Sequence, residues 1–188
     1  MQLQALKEVL DVILMRRHNN IKLLNIMKRF IIATLLCVIS FSCQSQNNKD
    51  IVASVLSKNI AGRKFYFNLS DSKKYLNKAI ITYLGSVQTN TEKYHILIGT
   101  RIWGSNKHTT GVIFLYDNKK KFFGKYVLGG MDDLPIKLEK NNLIFNNANK
   151  DECDHHLITR IDFSTIPKNI FIKCKDDLGD IYELTMEK

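Results

Sequence analysis

The densest group of side chains that could perform chemistry lies at residues 151–156, with the sequence Asp-Glu-Cys-Asp-His-His. Carboxylate, thiolate and imidazole groups all bind divalent transition metals, so a metal site here is chemically conceivable. Adjacent side chains on an extended strand point to opposite faces, however, which makes His155 and His156 weak candidates for ligands of one ion. We therefore expect a solvent-facing loop, with no metal and no cofactor.

A second candidate is the polar loop that follows the only tryptophan of the chain, Trp103. Loops on rigid β scaffolds often carry binding functions, so Trp103, Asn106, Lys107 and His108 could form the rim of a ligand site. The alternative is that Trp103 simply belongs to the core. No nucleophile or acid partner for His108 is evident in the sequence, so a catalytic triad is not predicted.

Two other polar loops favour structural interpretations. Residues 129–133, Gly-Gly-Met-Asp-Asp, could offer carboxylates to calcium, but they lack the spaced oxygen ligands of an EF-hand and we expect a turn. The lysines at 119–121 and Lys125 fit a charged hairpin turn, with contact to an anionic polymer or lipid head group as the alternative. The sequence has no phosphate-binding loop, dinucleotide fingerprint or nucleophile elbow.

The N-terminal part contains a segment with the order of an export signal. Lys28 and Arg29 precede an apolar run over residues 30–41, and small residues lead to Cys43. The run has about 12 residues, whereas a helix that spans a bilayer needs roughly 20. Cleavage before Cys43 is therefore expected, and an uncleaved apolar segment is the alternative.

Residues 27–43 resemble the type II signal of bacterial lipoproteins. That resemblance implies a lipid on Cys43 and a membrane as partner through the lipid anchor. Gln44 is not acidic, which by the sorting rule of well-studied lipoproteins implies the outer membrane of a Gram-negative envelope. Ordinary signal peptidase would cut the same bond and leave a free thiol, so both outcomes remain open at this point.

The same segment sets the expected organisation of the chain. We expect Met27 to be the initiator and residues 1–26 to be an upstream over-read, with an N-terminal amphipathic helix as the alternative. Residues 27–42 would be the signal, residues 43–49 a polar tether, and residues 50–188 a single β-rich domain.

Signal processing also sorts the cysteines. Cys37 lies within the signal and Cys43 is the lipid candidate, which leaves Cys153 and Cys174. An even pair in an oxidising compartment predicts one disulfide, and two separate buried thiols are the alternative.

Residues 44–188 carry 22 Lys and Arg against 16 Asp and Glu. This mild surplus is typical of a solvated surface, and no nucleic-acid partner is predicted.

Hydrophobic patterning predicts the fold. Asp50 could cap a short helix, and the spacing from Tyr75 to Leu84 predicts a second helix, although the β-branched cluster near Ala79 favours a strand there. Short apolar runs with turn residues between them then follow, at residues 94–103, 110–116, 122–128, 134–138, 143–145, 157–163, 170–173 and 181–186. We expect a mainly β protein, an antiparallel meander of sandwich or barrel type, preceded by one or two short helices.

These features together resemble a small cell-envelope lipoprotein. The absence of a catalytic motif favours a non-enzymatic binding or inhibitor module, whose ligand would be an envelope protein or a glycan. Two alternatives stay open: a structural component of an envelope assembly, and a metal-dependent hydrolase or metal-binding protein that uses His108, His155 or His156.

Overall fold

A computed structural model describes residues 43–70 and 75–186. The chain divides into two compact units, Met1–Lys49 and Asp50–Lys188, and all of the strands described below belong to the second. The predicted export signal and the predicted over-read at residues 1–26 lie outside the described residues. Among the residues that are described, no helix is both long and apolar enough to span a bilayer.

One helix, α1 (Cys43–Lys58), precedes the strands. It begins before Asp50, so that residue does not cap it, and the residues predicted to form a tether are helical. Residues 44–49 contain neither glycine nor proline, so nothing in their backbone chemistry opposes helix formation.

Of the two interpretations that the sequence left open for residues 75–84, the strand is confirmed and the helix is wrong. Most of that segment forms the long strand β2 (Asn77–Gln88), which pairs with a neighbour on each side. Ile80, Ile81, Thr82 and Tyr83 are β-branched or aromatic, and pairing along both edges outweighs the helical spacing of the apolar residues.

The prediction of a mainly β, antiparallel meander is confirmed. A seven-stranded sheet has the order β1-β2-β3-β4-β5-β10-β9, and a three-stranded sheet has the order β6-β7-β8. The other strands are β1 (Lys64–Asn68), β3 (Lys93–Trp103), β4 (His108–Tyr116), β5 (Phe122–Leu128), β6 (Lys137–Glu139), β7 (Asn142–Asn146), β8 (Ile158–Asp162), β9 (Asn169–Lys175) and β10 (Leu178–Met186). Within the described strands the large sheet is open, with β1 and β9 at its edges, so it does not close into a barrel.

The large sheet buries apolar side chains on both faces. On one face, Ile96, Ile113 and Tyr126 pack with Phe145 of the small sheet and with Phe163. On the other face, side chains of α1 pack on strands β2 to β4, and this cluster contains Val52, Val55, Leu56, Ile81, Tyr83, Leu97 and Tyr116. The domain is therefore layered, with the helix on one side of the large sheet and the small sheet on the other.

A bulge in β2 changes which residues meet each layer. The register to β3 shifts between Tyr83 and Gly85, so Tyr83 packs with the helix cluster while Val87 packs with the opposite cluster. Gly85 has φ 139, a conformation that L side chains rarely adopt. The conformation of Gly85 thus permits the bulge, and β2 contributes side chains to both hydrophobic clusters.

Candidate functional site

Trp103 and His108 form a cross-strand pair at the end of the β3–β4 hairpin. Their ring centroids are 5.1 Å apart with an interplanar angle of 37°. Trp103 remains 45% exposed, so the alternative that it belongs to the core is wrong. An aromatic side chain that stays this exposed presents a large apolar surface to a ligand.

The hairpin loop places the other predicted rim residues beside this pair. The Lys107 N–H donates to the Gly104 carbonyl at 3.3 Å, and Lys107 has φ 53. The Gly104 N–H donates to the Leu76 carbonyl at 2.9 Å, which joins the loop to the start of β2. Asn106 and Lys107 are exposed at the tip. The four predicted residues are therefore gathered on one hairpin.

Arg101 belongs to the same surface, and the sequence reasoning missed it. It lies two residues before Trp103 on β3, so both side chains leave the same face of the sheet. Its Nε–H donates to Asn77 Oδ1 at 3.1 Å. A period of two from the exposed tryptophan is the sequence signal that could have found it. We call Asn77, Arg101, Trp103, Lys107 and His108 the Trp103 rim.

Asn77 is itself held in place by Leu69 and Ser70, which directly follow β1. Its backbone N–H donates to Ser70 Oγ at 2.9 Å, and its Nδ2 donates to the Leu69 carbonyl at 3.2 Å. These two bonds fix the position of the amide oxygen that accepts from Arg101. The Arg101 side chain is thus oriented by an acceptor that is itself held in place by hydrogen bonds.

The Trp103 rim contains two cations, Arg101 and Lys107. Within the described parts of the chain the ion pairs are Lys137–Glu139 and Lys150–Asp133, so neither Arg101 nor Lys107 has a carboxylate partner there. An exposed aromatic face can pack on a ring, and cationic donors beside it can donate hydrogen bonds to the polar substituents of that ring. The arrangement therefore suits a ligand that contains such a ring.

The disulfide lies elsewhere, at the free edge of β9. Cys153 and Cys174 are bonded, with their Cα atoms 4.6 Å apart. Asn147 supports the same junction, because its Nδ2 donates to the carbonyls of Asp154 at 3.2 Å and of Lys173 and Cys174 at 3.1 Å. The loop thereby covers part of the edge of β9, where unpaired backbone groups would otherwise be open to another strand.

The weak metal candidates lie on that disulfide loop. His155 and His156 are exposed, and the His156 N–H donates to Asp154 Oδ1 at 2.9 Å. Cys153 is used by the disulfide. Over residues 43–70 and 75–186, no three His, Cys, Asp or Glu side chains gather as a metal-ligand set.

The glycine-rich loop before β6 contains a short 3-10 turn, Met131–Asp133. The Asp133 carboxylate accepts from the Gly130 N–H at 2.8 Å and forms an ion pair with Lys150. Asp132 accepts from Asn149 Nδ2 at 3.3 Å. Both carboxylates considered for calcium therefore already have protein partners that fix the turn.

The lysine-rich turn between β4 and β5 is organised by Asp117. The Asp117 carbonyl accepts from the Lys120 N–H at 2.9 Å, and its Oδ1 accepts from the Lys121 N–H at 2.8 Å. Lys119, Lys120 and Lys121 are exposed. These residues form a hairpin turn that is closed by the side chain of Asp117.

A buried polar pair was not predicted. The Tyr83 hydroxyl and His95 Nδ1 are 3.0 Å apart, and His95 is only 8% exposed. Burial lowers the pKa of His95, and the charges of Lys93 and Lys120 lower it further, while Asp117 opposes them. The pairing depends on the bulge register of β2 and β3, which the sequence pattern does not reveal.

No protein-family model matches the chain, and comparisons with curated proteins and with solved structures found no match either. The function is therefore inferred from the residues of this chain alone.

Proposed function

We propose that this chain is a cell-envelope lipoprotein whose β domain is a non-enzymatic binding module for a glycan of the envelope. The Trp103 rim is its ligand-binding surface. Cys43 carries the lipid that tethers the domain, by the export-signal pattern of residues 27–43, and the outer membrane is its location.

The observation that carries this proposal is the exposure of Trp103 beside a positioned arginine. Trp103 is 45% exposed although it lies within a strand that pairs along both sides. Burial of a large aromatic side chain is favourable by roughly 1.5–3 kcal/mol, so an exposed one is a natural place for a ligand to gain binding energy.

A glycan fits the surface better than an extended peptide does. Trp103 lies in β3, whose backbone is already paired with β2 and β4. A peptide therefore cannot add to the sheet as a strand at this point. A flat aromatic ring flanked by exposed donors instead offers a platform for a sugar ring.

The first test of the proposal is binding of envelope polysaccharide fractions to the full chain. Wild-type protein should bind a fraction that Trp103→Ala does not bind. Tyr66→Ala is the matched control, because Tyr66 is also an exposed aromatic, 73% exposed, on the edge strand β1. Equal binding by all three proteins, or by none, would refute the glycan-binding proposal.

The lipoprotein proposal is tested separately, by the intact mass of protein extracted from membranes. A mass that begins at Cys43 and includes acyl chains would support it. A mass that begins at Cys43 without acyl chains, or one that includes residues before Cys43, would refute it.

A structural role in an envelope assembly is the second candidate, because of an apolar pair on the large sheet. Phe171 and Ile181 are cross-strand partners on β9 and β10, and both are exposed, Ile181 by 70%. Exposed apolar side chains that adjoin on a sheet commonly mark contacts between proteins. Co-purification of a stoichiometric neighbour that is lost in Ile181→Thr would favour this role.

A further inference from the structure

We propose that the glycan bound by the Trp103 rim is acidic, with a sugar carboxylate held by the Arg101 guanidinium while the sugar ring packs on Trp103. This inference rests on the proposed glycan-binding function and specifies the class of ligand. It depends on three properties of the surface: the position of Arg101, the donors of Arg101 other than the one bonded to Asn77, and the charge of the neighbouring side chains.

Arg101 is positioned before any ligand arrives. Its Nε–H bond to Asn77 at 3.1 Å uses one side of the guanidinium. Asn77 is fixed in turn by Ser70 and Leu69. An arginine that is already oriented loses less side-chain entropy when it binds an anion, which strengthens the interaction.

The remaining donors of Arg101 have no acceptor among the residues that the structure describes. Among the residues that the structure describes, Asn77 Oδ1 is the hydrogen-bond acceptor of this side chain, and no carboxylate lies within ion-pair distance. A guanidinium presents several N–H donors in a planar fork, and that fork matches the two oxygens of a carboxylate. One oriented fork therefore suits one carboxylate.

The neighbouring groups reinforce this selectivity. Lys107 is exposed on the adjoining hairpin turn and, over the described ranges, has no acidic partner either. His108 lies directly opposite Trp103. The charged side chains of the rim, Arg101 and Lys107, are both basic, and this favours an anionic ligand over a neutral one of the same shape.

The ligand class is tested by calorimetric titration of the full chain with two oligosaccharides that differ only in charge. Oligogalacturonate carries a carboxylate on every sugar, and its methyl ester has the same rings without the charges. We expect the acid to bind roughly tenfold or more tightly than the ester, because hydrogen bonds between ionised partners are the stronger ones. Added salt should weaken binding of the acid form.

Variants test whether the preference for the acid over the ester depends on Arg101. Arg101→Gln should reduce acid binding roughly tenfold and leave the weak binding of the ester unchanged. Arg101→Lys keeps the charge but not the fork, so its affinity should fall between the two. The matched control is Lys78→Gln, since Lys78 is an exposed cation on the adjacent strand that pairs with Ile102 and so leaves the opposite face. Circular dichroism of each variant establishes that it is folded.

The outcomes separate this inference from the function on which it rests. Equal affinity for acid and ester, with loss of both in Trp103→Ala, would retain the glycan-binding module and overturn the acidic ligand. Arg101-dependent binding of a phosphorylated glycan without binding of oligogalacturonate would also overturn the carboxylate. Failure of both oligosaccharides and of every envelope polysaccharide to bind would overturn both proposals. Preference for the acid that Arg101→Gln abolishes and Lys78→Gln preserves is the result that we expect.

Discussion

Arg101 and Asn77 are diagonal neighbours on β3 and β2, joined by a hydrogen bond of 3.1 Å from Arg101 Nε to Asn77 Oδ1. Their direct register partners are Ala79 and Trp103, respectively. The bond therefore spans the sheet obliquely, within reach of long side chains on one face. It places a cation beside the exposed tryptophan without neutralising that cation.

Replacement of the neutral acceptor by a charged one should weaken ligand binding. In Asn77→Asp a carboxylate would occupy the position of the amide and pair with Arg101, so it would compete with an acidic ligand for the same donors. We expect the affinity for oligogalacturonate to fall at least several-fold in a calorimetric titration. Asn90→Asp, which makes the same charge change in the β2–β3 turn, is the control. Equal affinities for the two variants would contradict the role given to Arg101.

The disulfide should contribute substantially to stability. The bond between Cys153 and Cys174 closes a loop with a sequence separation of 21 residues. For a loop of this size, the chain-entropy model gives about 3 kcal/mol. The double variant Cys153→Ser, Cys174→Ser should lower the free energy of unfolding by this order in a urea titration. Reductant should destabilise the wild type similarly and leave the double variant unaffected, and a reductant effect on both would disprove this assignment.

A close backbone approach makes Gly111 sensitive to substitution. A Cβ at this position would overlap the carbonyl oxygen of Gly130 and lie 3.1 Å from Leu134 Cγ. Since a backbone atom cannot swing away as a flexible side chain does, Gly111→Ala should cost about 1–3 kcal/mol in thermal or urea unfolding. Gly130→Ala is the matched control, because its new Cβ would come no closer than 3.5 Å to another heavy atom. Similar losses of stability in both variants would show that the close contact between Gly111 and the Gly130 carbonyl is not their cause.

The buried histidine should make stability depend on pH. Burial, with help from Lys93 and Lys120, lowers the pKa of His95 in the folded protein below its ordinary value. Below about pH 6.5 the unfolded chain therefore binds a proton at His95 that the folded chain does not bind. The free energy of unfolding should thus fall as the pH drops below that value. Above it His95 is neutral in both states, and the loss of stability is absent.

Comparison with His95→Gln isolates the contribution of the histidine. Urea titrations at pH 7.5 and 5.5 should show a larger loss of stability for the wild type than for the variant, since glutamine does not titrate. Other groups, including Asp117 beside His95, titrate in both proteins and cancel in the difference. Parallel changes in the two proteins would exclude His95 as the source.

The elements that the sequence predicted correctly depend on local patterns. Strands β3, β4 and β5 have alternating or apolar runs between turn residues. These local patterns are almost sufficient to predict the three strands. For β2 the sequence left two interpretations open, a helix from the spacing of Leu76, Ala79 and Tyr83 and a strand from the β-branched cluster near Ala79. The pairing with β1 and β3 decides for the strand. β1 was not predicted, although its aromatic residues Phe65, Tyr66 and Phe67 are of the types that favour strands.

The candidate site divides in the same way. Trp103, Asn106, Lys107 and His108 are close in the chain, so one hairpin suffices to bring them together. Arg101 and Asn77 meet only through the β2–β3 register, and the pairing of Tyr83 with His95 depends further on the bulge at Gly85. Such contacts come from strand pairing, and a single sequence does not specify that pairing residue by residue.

The most direct test of the binding surface is the NMR signal of the indole N–H during titration of the full chain with oligogalacturonate. Trp103 is the only tryptophan, so this signal belongs to the proposed site without further assignment. We predict a saturable shift for the acid, one that is much reduced for the methyl ester and for Arg101→Gln. An indole signal that does not move at any concentration of either oligosaccharide would contradict ligand binding at the Trp103 rim.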